Sequence, residues 1–239
     1  MKYATILVAG PGRTGTSFVT EILFNDLNIS MGRFFIRDGQ TAHNQGCWED
    51  LPWTDLSDRM LRGNLHYWAC HGIMMRMIEA YNVRPVWGWK DPRLADTLMF
   101  YLPHLRNPLL IWCDRSMEVI LKSKYWSLKK EPWQSELQEG EQLVWGIPDD
   151  PEYWMGDRQL RGKYYLDKLD IPSLSLDFTE QQSRESVRGK LQQFLRENGV
   201  EDQTKLPPVE AFKASKYSLN WATGEVMALG ESILSTPKE

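Results

Sequence analysis

Three cations and a carboxylate stand where this chain could hold an anion and remove a proton: Arg13, Lys90, Arg115 and Glu49. Arg13 lies within Gly10-Pro11-Gly12-Arg13-Thr14-Gly15-Thr16-Ser17. Glycines let the backbone turn with its N–H groups facing inward, and three hydroxyls (Thr14, Thr16, Ser17) surround the arginine. A nucleotide-triphosphate loop reads G-x-x-x-x-G-K-[ST], with the lysine on the β- and γ-phosphates and the hydroxyl on magnesium. Gly10 and Gly15 keep that spacing, but Thr16 occupies the lysine's place. An arginine among hydroxyls suits one phosphate or sulfate group without an obligatory metal.

Arg115 and Ser123 form a second pair. An arginine at a strand end can grip a phosphate as a planar fork, and a hydroxyl two helical turns on can donate a further bond. The elements needed to position these groups are legible in the hydrophobic pattern. Ile6-Leu7-Val8-Ala9 is an apolar strand, and Phe18, Val19, Ile22, Leu23 and Leu27 recur at helical spacing behind the loop. Pro85 to Trp89 reads as a short strand, followed by Lys90-Asp91-Pro92-Arg93 and a helix over Leu94 to Leu102. Pro108 to Cys113 is a buried central strand that ends at Asp114-Arg115-Ser116, with a helix beyond it.

Helices are also expected from Pro52 through Leu61, over Tyr67 to Tyr81, over Pro151 to Leu169, and from Phe178 to Glu197 with Gly199 as the stop. Ile171 to Leu176 supplies a last strand, and a closing amphipathic helix is expected over Asn220 to Leu234. Ile29 to Arg33 fits either a strand or a loop. Strands alternating with helices imply a parallel sheet covered on both faces, in one domain over residues 1–239. Ligands of such sheets sit at the C-terminal strand ends, where the loop, Lys90-Asp91 and Asp114-Arg115 should converge.

Composition narrows the function classes. The chain has 239 residues, 42% apolar and 25% charged, as in an ordinary globular protein. A net charge of −4 argues against a broad nucleic-acid surface, so an anion site must be a local concentration of cations. No apolar run reaches the length of a membrane span, and Met1-Lys2 leads directly into the first strand without a signal-peptide pattern. Cys47, Cys70 and Cys113 are too few and too scattered for a disulfide framework or a zinc site; reduced, buried thiols in a cytoplasmic protein are expected. Several of the eleven tryptophans should fill the core, and those of Cys47–Trp53 and Trp126–Trp154 could stack on an acceptor.

These motifs together resemble the 3′-phosphoadenosine 5′-phosphosulfate (PAPS)-dependent sulfotransferases, in the bacterial and tyrosyl-protein version. Pro11 to Ser17 is similar to the family's 5′-phosphosulfate loop, Arg115 through Ser123 (RSMEVILKS) to its 3′-phosphate motif, and Lys90-Asp91-Pro92 to a KDP element. Leu174 to Leu195 resembles the family's late strand and helix. The resemblance implies a three-layer P-loop-like α/β fold and in-line transfer to a hydroxyl or amine of a small-molecule or glycan acceptor. Gly12, Arg13, Thr14, Gly15, Thr16, Ser17, Arg115 and Ser123 would hold the nucleotide, and Arg13 and Lys90 would face the leaving oxygen. Gly46-Cys47-Trp48-Glu49 resembles an element whose glutamate is the base in some members, so Glu49 is the first candidate; Asp50, His43, His66 and His71 are alternatives. Asp91 and Asp114 would orient Lys90 and Arg115. The family's basic, glycine-rich closing segment is missing; only Lys213 and Lys216 near Phe212 could serve instead.

Two other readings use the same residues. A small-molecule P-loop kinase would need Asp114 as its magnesium carboxylate. A non-catalytic protein on this fold would bind the nucleotide and transfer nothing.

Overall fold

A computed structural model describes residues 3–32, 34–36, 48–63, 67–122, 151–207, 210–220 and 225–235. Its centre is a four-stranded parallel sheet in the order β3-β1-β4-β5. The strands are β1 (Ala4–Ala9), β3 (Val86–Lys90), β4 (Pro108–Asp114) and β5 (Ser173–Asp177). The run Ile6 to Ala9 is fully buried because both faces of β1 are covered. Alternate residues divide between two cores. Ile6, Val8, Leu109, Ile111 and Cys113 face one side, and Leu7, Ala9, Leu110 and Trp112 the other.

The first side is covered by α1 (Thr16–Glu21), a π-helical turn over Ile22–Asp26, and α7 (Arg184–Glu197). Val187, Leu191, Phe194 and Leu195 face inward, as their spacing requires. Arg184 ties α7 to the π-turn and to the end of α1 with ion pairs to Asp26 and Glu21, both at 2.8 Å. The second side is covered by α2 (Leu51–Leu61), α3 (Tyr67–Tyr81), α4 (Leu94–Tyr101) and α6 (Pro151–Lys168). The chain is therefore an α/β fold with a central parallel sheet between two helical layers.

Trp53, Trp87 and Trp89 stack at the heart of the second core, with Trp53 and Trp89 centroids 4.3 Å apart and nearly parallel. Trp48 packs into the other core against Phe24. The tryptophans of Cys47–Trp53 are thus core residues, not acceptor platforms. The segment Trp126–Trp154 falls on residues whose structure or side chains lie outside the described set. Cys70 and Cys113 are buried, and burial pushes both thiols up.

Three sequence expectations change. Residues 220 and 225–234, within the span expected to be helical, are strand, and 221–224 lie outside the described residues. Strands β6 (Glu210–Asn220) and β7 (Glu225–Ser235) make an antiparallel ribbon, and β6 also pairs in parallel with β2 (Phe34–Ile36). The apolar spacing of residues 226–234 fits either period, and the pairing with β6 decided it. Lys213 falls opposite Phe35 in that register. The helix expected from Phe178 begins at Arg184, where Ser183 caps it by accepting from the Ser186 amide at 3.2 Å. Residues 29–31 form neither a full strand nor an unattached loop: the Ser30 carbonyl accepts from the Gly88 amide at 2.8 Å as an isolated bridge beside β3.

Candidate active site

In the sheet, β3 lies on one side of β1 and β4 on the other, so the chain leaves the C-terminal ends of β1 and β4 in a crevice. The loop over residues 10–15 fills it. Gly10 has φ +149°, and a Cβ there would meet the Cys113 carbonyl oxygen at 2.2 Å. Only glycine lets the loop pass this close to β4. Arg13 adopts a left-handed φ of 72°, and Gly15 one of 89° with the Phe178 ring against its Cα. A non-glycine residue held in that region at a loop apex is a local strain that the surrounding structure must maintain.

The hydroxyls of the loop differ in their tasks. Thr14 is fully buried and donates to the Pro11 carbonyl at 2.7 Å, so its side chain braces the turn. Thr16 is buried at the first position of α1. Ser17 is partly exposed, and its Oγ accepts from the Lys90 ammonium at 3.4 Å. Gly12 and Arg13 lie at the solvent-facing apex.

Arg115, immediately after β4, turns back onto this loop. Its Nη1 donates to the Arg13 carbonyl at 3.3 Å. Its Nε is buried from solvent and makes no hydrogen bond within the described residues. The turn that carries it is held from three directions. Asp114 Oδ1 accepts from the Arg115 amide at 2.8 Å. Gln159 of α6 donates to Asp114 Oδ1 at 2.9 Å and to the Arg115 carbonyl at 2.7 Å. Thr179 Oγ1 accepts from the Ser116 amide at 2.8 Å. Asp114 thus meets Arg115 at its backbone amide, not at its guanidinium. Helix α5 is described over 117–122; Ser123 lies outside the described residues.

The end of β3 carries a buried group of charges. Lys90 Nζ is 2.7 Å from Glu49 Oε1, with both side chains 5% exposed or less. Arg93 follows at the start of α4: its Nη1 lies 3.0 Å from Asp91 Oδ1 and 3.7 Å from Glu49 Oε2, and its Nε 3.8 Å from Asp58 Oδ1 of α2. Burial works against the charge of Arg93, but Asp91, Glu49 and Asp58 outweigh it and raise its pKa. Asp91 holds Arg93 rather than Lys90. Asp50, next to Glu49, is fully buried and accepts from the Tyr81 hydroxyl.

The structure therefore brings Arg13, Ser17, Lys90, Glu49 and Arg115 around one loop. His71 lies elsewhere, packed edge-on to His104 at 4.8 Å. His43 and His66 fall outside the described residues, as does Cys47. Arg93, Asp58 and Gln159 take part in the arrangement without being singled out by the sequence. Arg93 directly follows Lys90-Asp91-Pro92, which was a usable signal; Gln159 sits in an expected helix that carries no motif and offered none. Among the described residues no group of three or more His, Cys, Asp or Glu side chains could hold a metal ion, and no helix is long and apolar enough to cross a membrane.

No family model matches the chain, and no curated protein matches it. Among solved structures, it is similar to a crystal structure from Chloroflexus aurantiacus described as "a putative kinase". The two share 15% sequence identity with a TM-score of 0.41, over 82% of this chain and 100% of the other. So loose a likeness assigns no activity.

Proposed function

We propose that the chain transfers a sulfuryl group from 3′-phosphoadenosine 5′-phosphosulfate to a hydroxyl or amine of an acceptor. The observation that carries this reading is the position of Lys90. Its ammonium faces the Ser17 hydroxyl at 3.4 Å. A metal-dependent phosphate loop uses that hydroxyl, with a strand-end carboxylate, to hold magnesium. Here that hydroxyl faces a side-chain cation, Asp91 is engaged by Arg93, and Asp114, the carboxylate a kinase would need, accepts from the Arg115 amide and from Gln159. The Nε of Arg115 gives independent support, because a buried guanidinium N–H with no acceptor among the described residues fits a bound anion.

In this reading the loop amides, Thr16 and Ser17 surround the 5′-phosphosulfate, and Arg115 with Ser123 takes the 3′-phosphate. The acceptor atom attacks sulfur in line as the bond from sulfur to the bridging oxygen breaks. Charge grows on that oxygen, where Arg13 and Lys90 stabilise it, and adenosine 3′,5′-bisphosphate leaves. The acceptor's proton passes to Glu49, whose carboxylate becomes available as Lys90 turns toward the developing charge.

Adenosine 3′,5′-bisphosphate without metal should raise the unfolding temperature more than ATP with magnesium does. The reverse order would favour the P-loop kinase. Glu49→Gln should keep bisphosphate binding and lose transfer of label from sulfate-labelled donor across an acceptor panel. Binding with no transfer in the parent protein would identify a non-catalytic nucleotide-binding protein.

A further inference from the structure

The functional reading above asks Lys90 to leave Glu49, and the structure contains a side chain suited to that moment. Among the described residues, Lys90 Nζ lies 2.7 Å from Glu49 Oε1 and 3.4 Å from Ser17 Oγ. A rotation of its terminal methylene carries the ammonium from one to the other. Glu49 would then be a carboxylate 4% exposed, without the cation that hydrogen-bonds it. A buried carboxylate in that position takes up a proton unless another cation faces it. Protonated, it could not accept the acceptor's proton.

Arg93 faces its other oxygen. Glu49 Oε2 is buried and accepts no hydrogen bond from the described residues, and Arg93 Nη1 lies 3.7 Å from it. Arg93 is itself 6% exposed and is fixed from behind: Asp91 Oδ1 accepts from its Nη1 at 3.0 Å and from its backbone amide at 2.9 Å. Among the described residues, the charged groups round Glu49 are thus Lys90 of β3, Arg93 and Asp91 at the start of α4, Asp58 of α2, and Asp50 beside it in the chain. We propose that Arg93 is a positioning residue that keeps Glu49 ionised and in place while Lys90 moves its ammonium to the charge at the loop. The destination of Lys90 rests on the functional reading; the counter-ion role of Arg93 does not. No proton moves in this exchange: one ion pair opens, and another, already oriented, tightens.

The test needs no acceptor. Replacing Lys90 by glutamine mimics its departure, and infrared difference spectroscopy against the matching Glu49→Gln variant reads the ionisation of Glu49. In K90Q at neutral pH, Glu49 should remain a carboxylate. In K90Q/R93Q a protonated-carboxyl band should appear that E49Q deletes, and K90Q/R93K should lose the band again. A protonated Glu49 in K90Q, an ionised one in K90Q/R93Q, or no rescue by lysine would each overturn the proposal. If K90Q/R93Q fails to fold, adding E49Q must restore folding; a triple variant that stays unfolded overturns it as well. A second arm uses adenosine 3′,5′-bisphosphate as probe, with calorimetry in buffers of different ionisation enthalpy. Binding should take up about one more proton in R93Q than in the parent. Unchanged uptake would overturn the exchange. A parent protein that does not bind the bisphosphate would overturn the functional reading, while the infrared series still decides the role of Arg93.

Discussion

The Arg115 guanidinium reaches across 102 positions of sequence to donate to the carbonyl of Arg13. Two chain segments that follow different strands are thereby tied at the same strand ends. The contact ties the loop to the end of β4, and the buried Nε of Arg115 has no acceptor among the described residues. On the proposed reading, Arg115→Ala should lower affinity for adenosine 3′,5′-bisphosphate by 10- to 100-fold or more, since hydrogen bonds to a charged group contribute roughly 1.5–3 kcal/mol. The unfolding temperature without ligand should change little, because Arg115 is only partly buried. Calorimetric titration beside a ligand-free melt reads both quantities. Equal affinity in variant and parent would remove Arg115 from the anion site.

The loop's approach to β4 predicts a sharp contrast between two glycines. Gly10→Ala places a methyl group 2.2 Å from the Cys113 backbone oxygen near the C-terminal end of β4, at a left-handed φ. It should cost at least about 3 kcal/mol, combining strain with a clash that only backbone movement relieves. Gly63→Ala has a left-handed φ of 65° but nothing within 4 Å of the new methyl, and should cost only about 1–2 kcal/mol. Urea unfolding of the pair separates steric clash from backbone conformation.

Trp53 stacks on Trp89 and meets Tyr81 and Tyr101 edge-on, with no exposure to solvent. Trp53→Ala should therefore destabilise the protein by about 3–5 kcal/mol, as for large aromatic residues removed from a packed core. Whatever ligand binding the folded fraction shows should be unchanged. A selective loss of binding with full stability would place Trp53 in a ligand site instead.

His104 offers a dependence on acidity. Burial, and then the neighbouring His71, lower its pKa. The unfolded chain therefore takes up a proton before the folded one does. The associated stability is present above the ordinary histidine value of about 6.5 and is lost as pH falls through the depressed folded value. His104→Gln should flatten the melting-temperature profile in that acidic window and leave it unchanged above neutrality. A profile as steep as the parent's would show that other groups set it.

What the sequence determined on its own was mostly local. The continuous apolar runs of β1 and β4 dictate buried strands, because only a doubly covered sheet hides both of their faces. The glycine-rich turn after Ala9 and the helical spacing behind it follow from residues adjacent in the chain. The prediction that Arg13, Lys90 and Arg115 share one edge also needed no coordinates, since each follows a parallel strand.

Tertiary structure decided what depends on distant partners. The sequence over residues 226–234 carries a pattern that serves a helix or a strand, and its pairing with residues 210–220 selected the strand. Glu49 is recognisable as a carboxylate near a helix start, but its burial against Lys90 is not. That ion pair, and the Arg93 cluster behind it, exist only because β3 brings residues 90–93 alongside residues 49 and 58. Charge interactions fall off over a few ångströms in space and take no account of separation along the chain, so spacing in the sequence could name the groups without pairing them.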